Sequence, residues 1–155
     1  MNNDYNFRHY NLELNACDSL KLTDKEMETF LKERTKSVTD YELKIRHIIK
    51  LCSENGVKLI LITQPTLIGD KYEVNSGKYL GNIRFGKYEN GILLEKQLDM
   101  INKSTIKVAQ LTNTKVVRLS EELPANIDYY YDPIHFSAKG CDVIARIIAN
   151  NIRID

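Results

Sequence analysis

Asp132 and His135 stand three residues apart in the run Tyr129-Tyr130-Tyr131-Asp132-Pro133-Ile134-His135-Phe136-Ser137. A carboxylate held against an imidazole can make a hydroxyl nucleophilic at neutral pH: the ring takes the proton, and the acid fixes its tautomer and steadies the imidazolium. Pro133 restricts the backbone between the two, so one turn could supply the geometry. An acid and a histidine before a helix also occur as a plain capping arrangement. Spacing alone leaves both readings open.

The elements that must position this pair can be read upstream. Thr23-Asp24-Lys25-Glu26 fits a capping box opening a helix through Met27, Phe30 and Leu31. Thr39-Asp40-Tyr41-Glu42 fits another, predicting a second helix with Ile45, Ile48, Ile49 and Cys52 on one stripe, stopped at Gly56. Val57 to Thr63 is almost continuously apolar and closed by Gln64-Pro65, the pattern of a strand buried on both faces in a parallel sheet.

Residues 65 to 90 carry four glycines among aromatics without a clear period, which predicts a loop insertion, either a substrate-facing lid or a variable surface excursion. Leu94, Leu98, Ile101, Thr105 and Val108 mark a helix over about 92–111, and Lys115 to Leu119 reads as the next strand. Ser137 is placed to cap a last helix reaching Asn151, with Cys141, Ile144 and Ile148 on one side. The order helix, strand, helix, strand, helix predicts one α/β domain over 1–155. Two strands are too few for such a sheet, so a further strand is expected within residues 1–22 or outside this chain.

Composition bounds the function classes. The chain has 155 residues, 43% hydrophobic and 28% charged, with a net charge of +1. Near-neutrality without a basic block argues against recognition of nucleic acid. No run reaches the length of a membrane span, and the polar start Met-Asn-Asn-Asp-Tyr-Asn does not read as a signal peptide. Cys17, Cys52 and Cys141 are odd in number and without a CxxC pair, so neither disulfides nor a zinc site is expected, and Cys52 and Cys141 read as buried helix residues. His9 falls in the N-terminal loop and His47 on a polar helix side. Few histidines and no clustered carboxylates predict neither a metal nor a cofactor.

The stretch from Tyr131 to Ile148, with Asp-x-x-His, Ser137, Gly140 and an apolar helix, resembles the last conserved block of the SGNH (GDSL-type) hydrolases. The strand Val57 to Thr63 with Gln64-Pro65 is similar to that family's penultimate core strand. The resemblance implies a three-layer α/β/α flavodoxin-like fold and hydrolysis of an ester or acetylated glycan through a serine. Asp132 and His135 match the catalytic acid and base. Asn3-Asp4 resembles the end of the block whose Asn donates to the oxyanion, a contact worth about 2.7–4 kcal/mol of barrier in measured cases, though Met1 stands where Gly belongs. Cys17-Asp18-Ser19-Leu20 shares three letters with the nucleophile signature, which makes Ser19 a candidate nucleophile; Cys replaces its Gly, and no buried strand precedes it. The alternative is a chain that begins inside such a domain, lacking the N-terminal strand and the serine. Such a chain is expected to self-associate through its exposed sheet edge, or to act as a non-catalytic module binding a ligand or partner.

Overall fold

The structure is a computed structural model that describes residues 17–85 and 87–152. Asn3 and His9 lie outside the described residues. The first helix, α1 (Asp24–Glu54), is a single rod of 31 residues rather than the two expected helices, about 46 Å long at 1.5 Å per residue. Its start is the anticipated capping box, with the Thr23 side chain on the Glu26 N–H and the Glu26 carboxylate returning to the Thr23 N–H.

The second box at Thr39 never opens a helix. Thr29, Thr35 and Thr39 each turn a hydroxyl back to the carbonyl four residues before, at 2.8, 3.4 and 3.2 Å, so the threonines are absorbed within the helix. No glycine or proline interrupts residues 24–54. The rod ends where Gly56 adopts φ +68°, with Val57 N–H bonding Cys52 O and Gly56 N–H bonding Ser53 O in a Schellman closure.

After this turn β1 (Ile60–Ile62) pairs in parallel with β4 (Lys115–Val117), Ile60 opposite Lys115 and Ile62 opposite Val117. Between them lie the short antiparallel pair β2 (Arg84–Phe85) and β3 (Glu89–Asn90) and the helix α2 (Gly91–Leu111). A four-residue helix α3 (Leu119–Glu122), a 3-10 turn (Ile127–Tyr129) and the final helix α4 (Ala138–Asn151) complete the chain. The protein is therefore mixed α/β, and among the described residues its parallel sheet has two strands. The first strand is shorter than the apolar run implies, because Val57 is exposed and stands in the turn leaving α1.

The core is not confined to those strands. Leu67, Ile68 and Leu80, from the stretch expected to be an excursion, are fully buried and cluster with Leu94, Val117, Leu119, Leu123 and Tyr130. The described residues of 65–90 thus supply part of the core, while Tyr72, Val74 and Tyr88 from the same stretch stay exposed. On α4, Val143, Ile144, Ile147 and Ile148 pack against that cluster. Cys141 is exposed, contrary to the expectation of a buried thiol, and Cys52 is half-buried. The inward face of α4 is centred on Gly140, Ile144 and Ile147, and Cys141 falls about a quarter turn to its side. Polar contacts join α1 to α2: Tyr41 Oη to Thr105 Oγ1 at 2.8 Å, and Glu42, itself paired with Arg46 one turn on, to Ser104 and Lys107.

Candidate functional site

The loop between the 3-10 turn and α4 doubles back on itself. Tyr130 and Phe136 form an antiparallel bridge, and Tyr131 N–H donates to His135 O at 3.1 Å. At its exit Ser137 caps α4 by accepting from Gly140 N–H and donating to Asp128 O. Gly140 is needed there because a Cβ would overlap the Tyr129 carbonyl oxygen. This contact gives the glycine of the sequence motif a steric cause: the first turn of α4 rests directly on the chain that enters the loop.

Within the loop, His135 Nδ1 lies 2.7 Å from Asp132 Oδ2. The other carboxylate oxygen, Oδ1, accepts the Ile134 and His135 N–H groups, both at 2.8 Å. The acid is therefore held by the backbone on one side and holds the ring on the other. Burial pushes the Asp132 carboxyl up, but the hydrogen bonds from Ile134 N–H and from the His135 ring and N–H outweigh it and hold the group below the usual carboxylate range. An ionised carboxylate only accepts, so Nδ1 carries the proton of the neutral imidazole and Nε2 keeps its lone pair. The Tyr131 ring stacks on the imidazole, 5.6 Å between centroids and 8° between planes. With 58% of the His135 side chain exposed and no partner for Nε2 among the described residues, the basic edge of the ring is available to solvent.

The loop is tied to the end of β1. Pro133 O accepts from Leu67 N–H at 2.9 Å and from Thr66 Oγ1 at 3.0 Å, and Ile134 O accepts from Gln64 Nε2 at 3.4 Å. Gln64 is itself clamped: its N–H donates to Asn102 Oδ1 at 2.8 Å and its carbonyl accepts from Asn102 Nδ2 at 2.9 Å. Beside it the buried Thr63 Oγ1 accepts from Ser120 N–H and Ser120 Oγ. The carboxyl ends of β1 and β4 and the Asp132–His135 loop thus form one hydrogen-bonded unit, at the edge where α/β sheets usually bind ligands.

A second brace comes from Glu73, buried to 1% exposure. Its Oε2 accepts from Asn75 N–H, Ser76 N–H and Ser76 Oγ, and its Oε1 accepts from Ile127 N–H at 3.1 Å. Burial pushes this carboxyl up as well, and the bonds from Ser76, Ile127 and Asn75 overcome it, leaving the group below its ordinary value. Nearby, burial raises the Tyr130 phenol, whose hydroxyl has no partner among the described residues.

Asp132 and His135 are thus brought together, whereas Ser19 is not joined to them. It sits in a bridge with Ile83, flanked by Arg84 N–H to Asp18 O and Leu20 N–H to Asn82 O, both at 2.8 Å, and makes no hydrogen bond to His135. Gln64, Thr66, Glu73 and Asn102 are the supporting residues that the sequence reading missed. Asn102 carried a usable signal, since an amide beside the apolar stripe of α2 must find buried partners.

No protein family, curated protein or solved structure matches this chain. What it can do chemically rests on its own geometry. Among the described residues no group of three or more His, Cys, Asp or Glu is placed to hold a metal ion, and no helix is long and apolar enough to cross a membrane.

Proposed function

We propose that this chain is an ester hydrolase of the SGNH type, on a flavodoxin-like α/β/α plan, with Asp132 and His135 as its acid and base and an ester or acetylated glycan as substrate. The observation that carries this reading is the 2.7 Å contact from Nδ1 to Oδ2 together with an unengaged Nε2 on an exposed ring. In the reaction Nε2 takes a proton from a hydroxyl, the hydroxyl oxygen attacks the ester carbonyl, the bond to the alcohol breaks, and the imidazolium returns the proton to the leaving oxygen. In an SGNH-type enzyme that hydroxyl is a serine's and water then repeats the sequence on the acyl-enzyme to release the acid; among the described residues no hydroxyl is hydrogen-bonded to Nε2. Ser19 is bridged to Ile83 and makes no hydrogen bond to His135, so the reading does not depend on it. Asn3 keeps the part of oxyanion donor that its resemblance implies.

The test is hydrolysis of p-nitrophenyl acetate by the full chain, with fluorophosphonate labelling in parallel. His135→Ala should lower kcat/KM by about 10²–10⁴, the usual share of a general base, and Asp132→Asn should lower it too. Label abolished by His135→Ala would reveal a serine intermediate. Turnover no faster than free imidazole, equal in all three proteins, overturns the proposal. That result favours the second reading, a binding module without turnover, which draws on the lack of any described hydroxyl bonded to Nε2.

A further inference from the structure

Beside the Asp132–His135 loop, and separated from it by the chain at Gln64 to Thr66, a cleft of about 170 Å³ opens at the carboxyl ends of β1 and β4. One wall is a single face of α2, where Glu95, Leu98, Asp99, Lys103 and Ile106 recur at helical spacing; Gln64, Pro65, Lys71 and Ser120 contribute from the strand ends and the loop. Its size decides what enters. Cavities near 150 Å³ take one six-membered ring, whereas drug-sized ligands need about 300 Å³ or more, so the cleft matches a single ring better than a long acyl chain.

Chemistry narrows the class. Two ion pairs edge the cleft, Lys71 with Glu95 at 2.9 Å and Lys103 with Asp99 at 2.6 Å, with the apolar Leu98 and Ile106 along the same helix face. Lys71 and Lys103 stand against Glu95, Asp99 and Glu121, which disfavours phosphate or sulfate. Alternating carboxylates and ammonium groups around a small apolar surface suit a ring whose faces carry C–H and whose rim carries hydroxyls, since each hydroxyl can both donate and accept.

We infer that this cleft is a subsite for one pyranose ring of the substrate. Placing the ring there, next to the His135 loop, rests on the hydrolase reading above. The side-chain amides of Gln64 and Asn102 report on the cleft without requiring turnover. Methyl glucopyranoside, titrated to high millimolar concentration, should shift both amide resonances of the full chain in nitrogen-resolved NMR spectra, and octanoate should leave them in place. The double variant Asp99→Ala/Lys103→Ala removes an exposed ion pair, not a core contact, and should weaken the sugar's effect at least tenfold in apparent Kd.

Shifts caused by octanoate and not by the sugar would overturn the inference, as would sugar shifts unchanged in the double variant. The two proposals fail separately. Sugar binding without His135-dependent hydrolysis leaves the subsite standing and removes the enzyme, whereas His135-dependent hydrolysis with unmoved amides does the reverse.

Discussion

Replacing Glu73 by glutamine tests whether a buried acid in residues 65–90 holds the approach to the candidate site. The carboxylate accepts four hydrogen bonds, three on Oε2 from the Asn75–Ser76 turn and one on Oε1 from Ile127 N–H, the start of the 3-10 turn that leads into Tyr129 and Tyr130. In Glu73→Gln the amide oxygen can still serve the turn, but the NH2 group then faces the Ile127 N–H, donor against donor. One bond to a charged acceptor, worth about 1.5–3 kcal/mol, is lost and the other three become neutral and weaker, for a total of roughly 2–4 kcal/mol. At about 2–4 °C per kcal/mol for a domain of this size, Tm should fall by roughly 5–15 °C.

The sign with pH follows from the lowered carboxyl. Its stabilisation is fully present above the unfolded value of about 4.3 and is lost as pH falls through the lower folded value, so wild type and variant should converge in acid. Urea unfolding at neutral and acidic pH measures both quantities. A loss under about 0.5 kcal/mol, the range of ordinary surface changes, would refute the claim that this acid joins the two segments.

Three other outcomes are expected. Gly140→Ala should lower stability by about 1–3 kcal/mol despite the better helix propensity of alanine, because the added Cβ meets the Tyr129 backbone; an unchanged urea midpoint would disprove that contact. Asn102→Ala strands the Gln64 N–H and C=O and should cost roughly 2–4 kcal/mol, with the Gln64 and Ile134 amide signals displaced; undisturbed signals would mean that the clamp does not position the loop. The amide protons of Ile134 and His135, which donate to Asp132, should titrate with a midpoint below the ordinary aspartate value of about 3.9; a midpoint above it contradicts the geometry, and Asp132→Asn should abolish the transition.

How much could be read before the fold was known depended on the range of the interaction. The Thr23 box, the Gly56 stop, the Ser137 cap and the Asp132–His135 pairing all lie within a few residues of their partners, and a three- or four-residue spacing states such contacts almost directly. The same locality misled at Thr39, where a capping pattern and a back-bonded threonine look alike and only the continuing helix separates them. Tertiary structure alone decided that Leu67, Ile68 and Leu80 build the core, that Thr66 reaches Pro133 across 67 positions, that Glu73 reaches Ile127 across 54, and that Ser19 pairs with Ile83 instead of joining His135. Hydrophobic periodicity tells which side of an element turns inward but carries no information about the partner it meets there. A pair within one turn was therefore legible in the chain itself, while the cleft beside it and the braces behind it exist only once distant segments have packed.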